Sequence, residues 1–222
     1  MESAMQNPPR KRDAEQTRKR IIEAAEKVFV KKGFDGARVD EIAREAGANK
    51  RLLYLYYGNK DDLYFEVLRI NFRRMIDAER AEVPAGSDPE THVVAIVRHF
   101  FHTLAQNTGL ARLLAWASLA DGRSDARYQQ SVDLLREGLG DLLSAVELGK
   151  SKGKFRDDVD IRRIAFMLTA LCLSYFHKRM LMDALWGPRI ESAAEAEKTV
   201  DAMIEVVMRG IRAGGHALEH AS

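Results

Sequence analysis

Cysteine and proline are scarce in this 222-residue chain, and long apolar runs are missing. The one cysteine, Cys172, permits neither an intrachain disulfide nor a cysteine metal cluster, and it fits a reducing cytoplasm. No stretch approaches the ~20 consecutive apolar residues that span a bilayer. The opening Met1-Glu2-Ser3-Ala4-Met5-Gln6 lacks the charged-then-apolar pattern of a secretion signal. A cytoplasmic protein with no membrane partner is expected. Strand signals and internal repeats are also missing. The few prolines punctuate: Pro84-Ala85-Gly86-Ser87-Asp88-Pro89 breaks the chain, and Trp186-Gly187-Pro188 forms a loop.

Catalytic patterns are equally scarce. There is no Ser-His-Asp arrangement and no glycine-flanked serine. Gly138-Leu139-Gly140 lies inside a helical pattern without a preceding strand, so it is no phosphate loop. Its glycines, each costing about 1 kcal/mol relative to Ala, bend the helix or admit close packing. Cys172 and His177 fall on different helix faces, and the thiol reads as buried and inert. His99 and His102 have the spacing of a two-ligand metal clip, but no third ligand is near. Phe100-Phe101 between them suggest core or pocket lining. The sequence therefore predicts no enzyme, no metal and no cofactor.

Charge is abundant and unevenly placed. Residues 1–60 hold 14 Lys/Arg against 9 Asp/Glu, whereas residues 61–222 hold 21 against 24. A basic N-terminal part and an acidic remainder suit a protein that meets a polyanion with one end only. The arm 1–12, with Pro8-Pro9-Arg10-Lys11-Arg12, either touches DNA or merely solubilises. From Asp13, a candidate cap, to Lys32 a helix buries Ile21, Ile22, Ala25, Val28 and Phe29, and Gly33 closes it.

Residues 39–60 carry the clearest pattern. Val39, Ile42, Ala43 and Ala46 recur at helical spacing, and Gly47 follows where a left-handed residue ends a helix. Asn49 caps a second helix, Lys50 to Tyr57, which Gly58-Asn59 stop. Two short helices joined by such a turn make a helix-turn-helix. Leu53 and Tyr57 face Ile42; Arg51, flanked by Lys50 and Tyr54, lies on the opposite side. Leu55 either meets a thymine methyl or widens the core stripe.

Thr17-Arg18, Ile21-Ile22, Ala24-Ala25, Phe29, Gly33-Phe34, Val39, Ile42-Ala43, Ala46-Gly47, Leu53-Tyr54, Tyr56-Tyr57, Lys60 and Leu63 together resemble the TetR/AcrR family of bacterial transcription regulators. The resemblance covers about residues 15 to 65. It implies phosphate contacts by Tyr54, Tyr56 and Lys60. The chain departs from the family at Arg38, where Ser or Thr usually caps the helix. Arg38 cannot cap, but it can bind phosphate. Arg51 stands where a small residue is common, and its guanidinium suits a bidentate bond to guanine. The DNA-contact set is Arg38, Asn49, Lys50, Arg51, Tyr54, Tyr56 and Lys60.

The fold class expected is all-α: an N-terminal three-helix helix-turn-helix DNA-binding domain (13–60) and a larger helical ligand-binding and dimerisation domain (61–222). Helices are predicted over 60–81, 89–106, 109–120, 125–149, 158–185 and 193–213. The broad apolar faces of the last two predict a homodimer, as the resemblance does. Phe101, His102, Trp116, Tyr128, Tyr175, Phe176 and Arg179, with Phe100 and His177, are candidates for a small-molecule effector cavity. The function this implies is a ligand-responsive regulator, a repressor on a palindromic double-stranded operator. The rivals are a weakly specific architectural DNA binder without a ligand switch, and a helical interaction module that binds no DNA.

Overall fold

A computed structural model describes residues 11–83, 86–119, 126–187 and 193–214. The elements are α1 (Lys11–Gly36), α2 (Val39–Glu45), α3 (Lys50–Tyr57), α4 (Lys60–Glu82), α5 (Pro89–Gln106), α6 (Thr108–Leu119), α7 (Ala126–Ser151), α8 (Ile161–His177), α9 (Arg179–Trp186) and α10 (Ala193–Ile211). Among the described residues the only β contact is an isolated antiparallel bridge between Phe155 and Arg212. The all-α expectation holds. Residues 1–10 of the expected arm 1–12 and parts of the 84–89 and 186–188 loops lie outside the described residues.

Two expectations about helix ends need correction. Already at Lys11 the chain is helical, so Asp13 sits in the first turn and its carbonyl accepts the Thr17 hydroxyl. Gly33, at φ 72° and ψ 178°, ends the long helical run of α1 as expected, and one further turn follows across this kink to Gly36. The helix expected over 158–185 is two, α8 and α9, meeting at Lys178. No Gly or Pro marks that junction. A tertiary contact lies there: His177 Nε2 is 2.7 Å from the Ala111 carbonyl.

Two buried clusters hold the chain together. The first joins Ile21, Ala25 and Phe29 of α1 with Ile42, Leu53, Leu63, Leu68 and Phe72, and Leu113 of α6 enters it. The second is built by α5, α7, α8 and α10 around Phe101, Val146, Phe155, Cys172 and Val200. Met75 and Leu114 pack against both. Burying each such side chain contributes about 1.5–3 kcal/mol. Packing thus assigns the first half of α4 to the N-terminal core, although its charge pattern begins a new segment. Gly138 lets α7 approach α4 closely: a Cβ there would stand 3.1 Å from Ile76 Cγ1. At Gly140 the space is open.

Candidate nucleic-acid interface and effector cavity

The helix-turn-helix is built from short-range signals. Gly47 takes φ 57° between α2 and α3, a conformation L side chains avoid. Asn49 Oδ1 accepts the Arg51 backbone N–H at 2.8 Å and so caps α3. That oxygen is therefore engaged within the protein. Arg38 precedes α2 in an extended conformation and makes no side-chain cap, as its chemistry demands. Gly58, at φ 78°, ends α3.

Leu53 is fully buried and anchors α3, while Arg51, Tyr54 and Leu55 face outward. Leu55 is 72 % exposed, which excludes the core-stripe alternative. Lys50 Nζ lies 2.7 Å from Asp40 Oδ1, and this hydrogen bond raises the ammonium pKa. Among the described residues Arg51 has no partner, so its guanidinium is the free cation of this face.

Around the helix-turn-helix, polar tips tie elements together. Tyr57 donates its hydroxyl to the Arg18 carbonyl at 3.0 Å. Burial pushes that phenol up to about 12, so it stays a donor at any physiological pH. The Arg18 guanidinium sits 4.9 Å from the Tyr56 ring centroid, a cation–π contact that braces α1 on α3. Lys60 Nζ donates to the Phe34 carbonyl at 2.9 Å and the Ala37 carbonyl at 3.2 Å, above the Phe34 ring. Two of its three donors thus hold the segment that presents Arg38. Asn59 and Asp62 form a reciprocal capping box at the start of α4.

A cavity of about 430 Å³ opens between α4, α5, α6, α7 and α8. Its wall is mostly apolar, with Phe72, Ile76, Phe100, Leu142 and Phe166 prominent. Glu79 and Arg162 are its charged lining residues among those described. Glu79 is only 6 % exposed. Burial first, and then the nearby Asp141 charge, push its carboxyl up to about 7. A volume of this size suits a small organic molecule.

Residues 21–67 match the family model "Bacterial regulatory proteins, tetR family", and residues 89–207 match "Tetracyclin repressor-like, C-terminal domain". The chain belongs to the TetR family. This TetR-family chain is similar to the HTH-type transcriptional repressor NicS of Pseudomonas putida, 29 % identical over 91 % of this chain and 96 % of that one. It is also similar to the HTH-type transcriptional repressor SCO4008 of Streptomyces coelicolor, 34 % identical over 72 % of this chain and 78 % of its relative. Its fold is similar to that of the regulator FadR of Bacillus subtilis in complex with stearoyl-CoA. There the TM-score is 0.70 at 18 % identity, covering 90 % of this chain and 100 % of that one. Like these relatives, the TetR-family protein is a DNA-binding transcription regulator.

Of the ligand candidates in this TetR-family chain, Phe100 lines this cavity, whereas Phe101, His102, Trp116, Tyr175, Phe176 and His177 are not among its described lining residues. Phe101 is fully buried and packs at a tilt against Tyr175 and Phe176, at centroid distances of 5.1 and 5.2 Å, as part of the second core. His102 Nε2 lies 2.7 Å from Glu197 Oε1 on α10. His99, three residues earlier, takes Glu82 on α4 at 2.7 Å, so the two imidazoles serve different helices. Trp116 is 42 % exposed and lies against Gly33 of α1. It was expected in the cavity because it is aromatic. Its helix turns Leu113 and Trp116 towards α1, and Leu114 borders the cavity. The side chains of Tyr128 and Arg179 lie outside the described residues.

The cavity wall that sequence reasoning missed is on α4: Phe72, Met75, Ile76 and Glu79. Their spacing of three, one and three is a helical stripe with an acid at its end. That acid on an apolar stripe was the available signal. Among the described residues, no helix is long and apolar enough to cross a membrane.

Proposed function

We propose that this regulator is a repressor that binds a palindromic operator as a homodimer and is released by a small effector. The exposed face of α3, with an unengaged Arg51 beside Tyr54 and Leu55, carries this reading. Arg51 reads a base, and Leu55 offers a methyl contact in the major groove. Arg38, Lys50, Tyr54 and Tyr56 hold phosphates. Asn49 contributes by capping α3, and Lys60 by holding the Phe34–Arg38 segment and offering its third N–H to phosphate. The protein acts in the cytoplasm, where its operator lies.

Two-fold symmetry places a pair of recognition helices about 34–36 Å apart. Phe166, Met167 and Leu171 of α8, Leu181 and Leu185 of α9, and Val206 of α10 are exposed apolar side chains, Phe166 at 75 %. A second copy covering them supplies the dimer. Val200, Ile204, Val207, Met208 and Ile211 of α10 already serve the chain's own core, and Met203 packs against it. Met167→Glu combined with Leu171→Glu is expected to sediment as a monomer where the parent is a dimer. A variant that remains dimeric places the interface elsewhere.

Effector binding between α4 and α8 shifts the population toward dimers whose α3 helices no longer match successive grooves. The decisive experiment selects bound duplexes from host genomic fragments and titrates the winner against a scrambled duplex. A palindromic winner preferred by at least about 10³-fold supports the proposal. Binding without preference favours an architectural DNA binder. On the selected site, Arg51→Ala should cost about 1–3 kcal/mol of discrimination. Lys60→Ala should weaken all duplexes alike and flatten the salt slope by about one unit. Equal losses on specific and random DNA for Arg51→Ala demote it to a phosphate contact.

A further inference from the structure

Among the described residues that line the cavity, one carboxylate stands without a partner. Glu79 follows Phe72 and Ile76 on the same stripe of α4 and borders the cavity while 6 % exposed. Among the described residues its carboxyl makes no hydrogen bond or ion pair. The charged groups around it are already paired. Arg80 of α4 binds Asp141 and Glu137 of α7, at 2.9 and 3.1 Å. His99 of α5 is held by Glu82 of α4. Arg162 of α8 lies on the exposed rim beside Asp160. A buried, unpaired carboxylate is costly until an opposite charge reaches it.

We propose that the cavity takes a small organic cation, its apolar body against Phe72, Ile76 and Phe100 and its protonated nitrogen against Glu79. The inference rests on the effector reading of this cavity. Glu79 and the nearby Asp141 oppose a carboxylate ligand at this position. A neutral alcohol leaves the charge of Glu79 uncompensated.

The test uses the full chain and three matched probes, 4-phenylbutylammonium, 4-phenylbutanol and 4-phenylbutanoate, titrated calorimetrically at pH 8. The ammonium is expected to bind at least about tenfold more tightly than the alcohol, and the carboxylate most weakly. In Glu79→Gln the ammonium's advantage should fall to within about twofold, with the alcohol little changed. Between pH 8 and pH 6 the parent's affinity for the ammonium should drop about tenfold, because the carboxyl titrates near 7 and its ionised fraction falls by that factor. The Gln variant should show no such drop, and a His99→Gln variant should keep it.

Equal affinity for ammonium and alcohol overturns the proposal. So does a preference that survives in Glu79→Gln, or failure of the ammonium to bind at all. Operator affinity is measured separately. An ammonium that binds through Glu79 yet leaves the operator bound supports the cavity's chemistry and counts against the effector reading.

Discussion

Gly33→Ala is expected to lower the stability of the full chain by about 2–6 kcal/mol. Two independent costs combine there. At φ 72° and ψ 178° the backbone occupies a region left almost entirely to glycine, worth about 1–3 kcal/mol of strain for any other residue. An added Cβ would also stand 2.8 Å from Trp116 Cε2 and 2.9 Å from Cζ2. Overlap of that kind costs about 1–3 kcal/mol more unless the indole moves. Urea denaturation of Gly33→Ala, with and without Trp116→Ala, separates the two. The double variant should recover the overlap and keep the strain. If Gly33→Ala is as stable as the parent, the kink does not depend on glycine. Position 33 is one of the contact points of α1 with α6, whose Leu113 carbonyl accepts the Tyr64 hydroxyl at 2.8 Å and whose Leu114 borders the cavity.

A second large loss is expected for Gly149→Ala, about 3 kcal/mol or more, the upper end for overpacking a core. A Cβ at 149 would lie 2.1 Å from Phe155 Cδ2 and 2.3 Å from Cε2. Phe155 is 2 % exposed and fills the second core, so its ring has nowhere to retreat without displacing neighbours. The backbone is constrained as well. Both Lys154 and Phe155 donate their N–H to the Gly149 carbonyl, and Arg156 and Ala213 then join this turn to the end of α10. Thermal melting should show the loss, and Gly140→Ala serves as control because its Cβ meets open space. A Gly149→Ala protein that melts with the parent means that the turn after α7 shifts freely.

The helix-turn-helix was legible because its signals act over a few residues. Gly47 at positive φ, the Asn49 cap and the Gly58 stop each follow from local chemistry, whatever packs around them. The fold class was legible for the same reason, since helical periodicity runs through almost every segment. Arg38 was legible as a residue that cannot cap, and α2 starts there without a side-chain cap.

The cavity obeyed a different logic. Aromatic residues suggest a pocket and a core equally, and only neighbours from distant segments choose between them. Phe101 met Tyr175 and Phe176 and became core, whereas Phe100, one residue earlier on α5, turned to the cavity. Trp116 met Gly33, 83 positions before it in the chain. Lys60 ties itself to the carbonyls of Phe34, near the end of α1, and Ala37, just before α2, a link between segments that residue order does not show.

Helix spacing, caps and charge placement are written locally, so residue order alone carried the all-α class, the helix-turn-helix and the outward side of α3 on which Arg51 lies. Helix faces are chosen by long-range packing. How α4, α6 and α8 turn towards one another left Glu79 buried without a partner and placed Trp116 on α1, because burial and electrostatic pairing depend on every surrounding element at once.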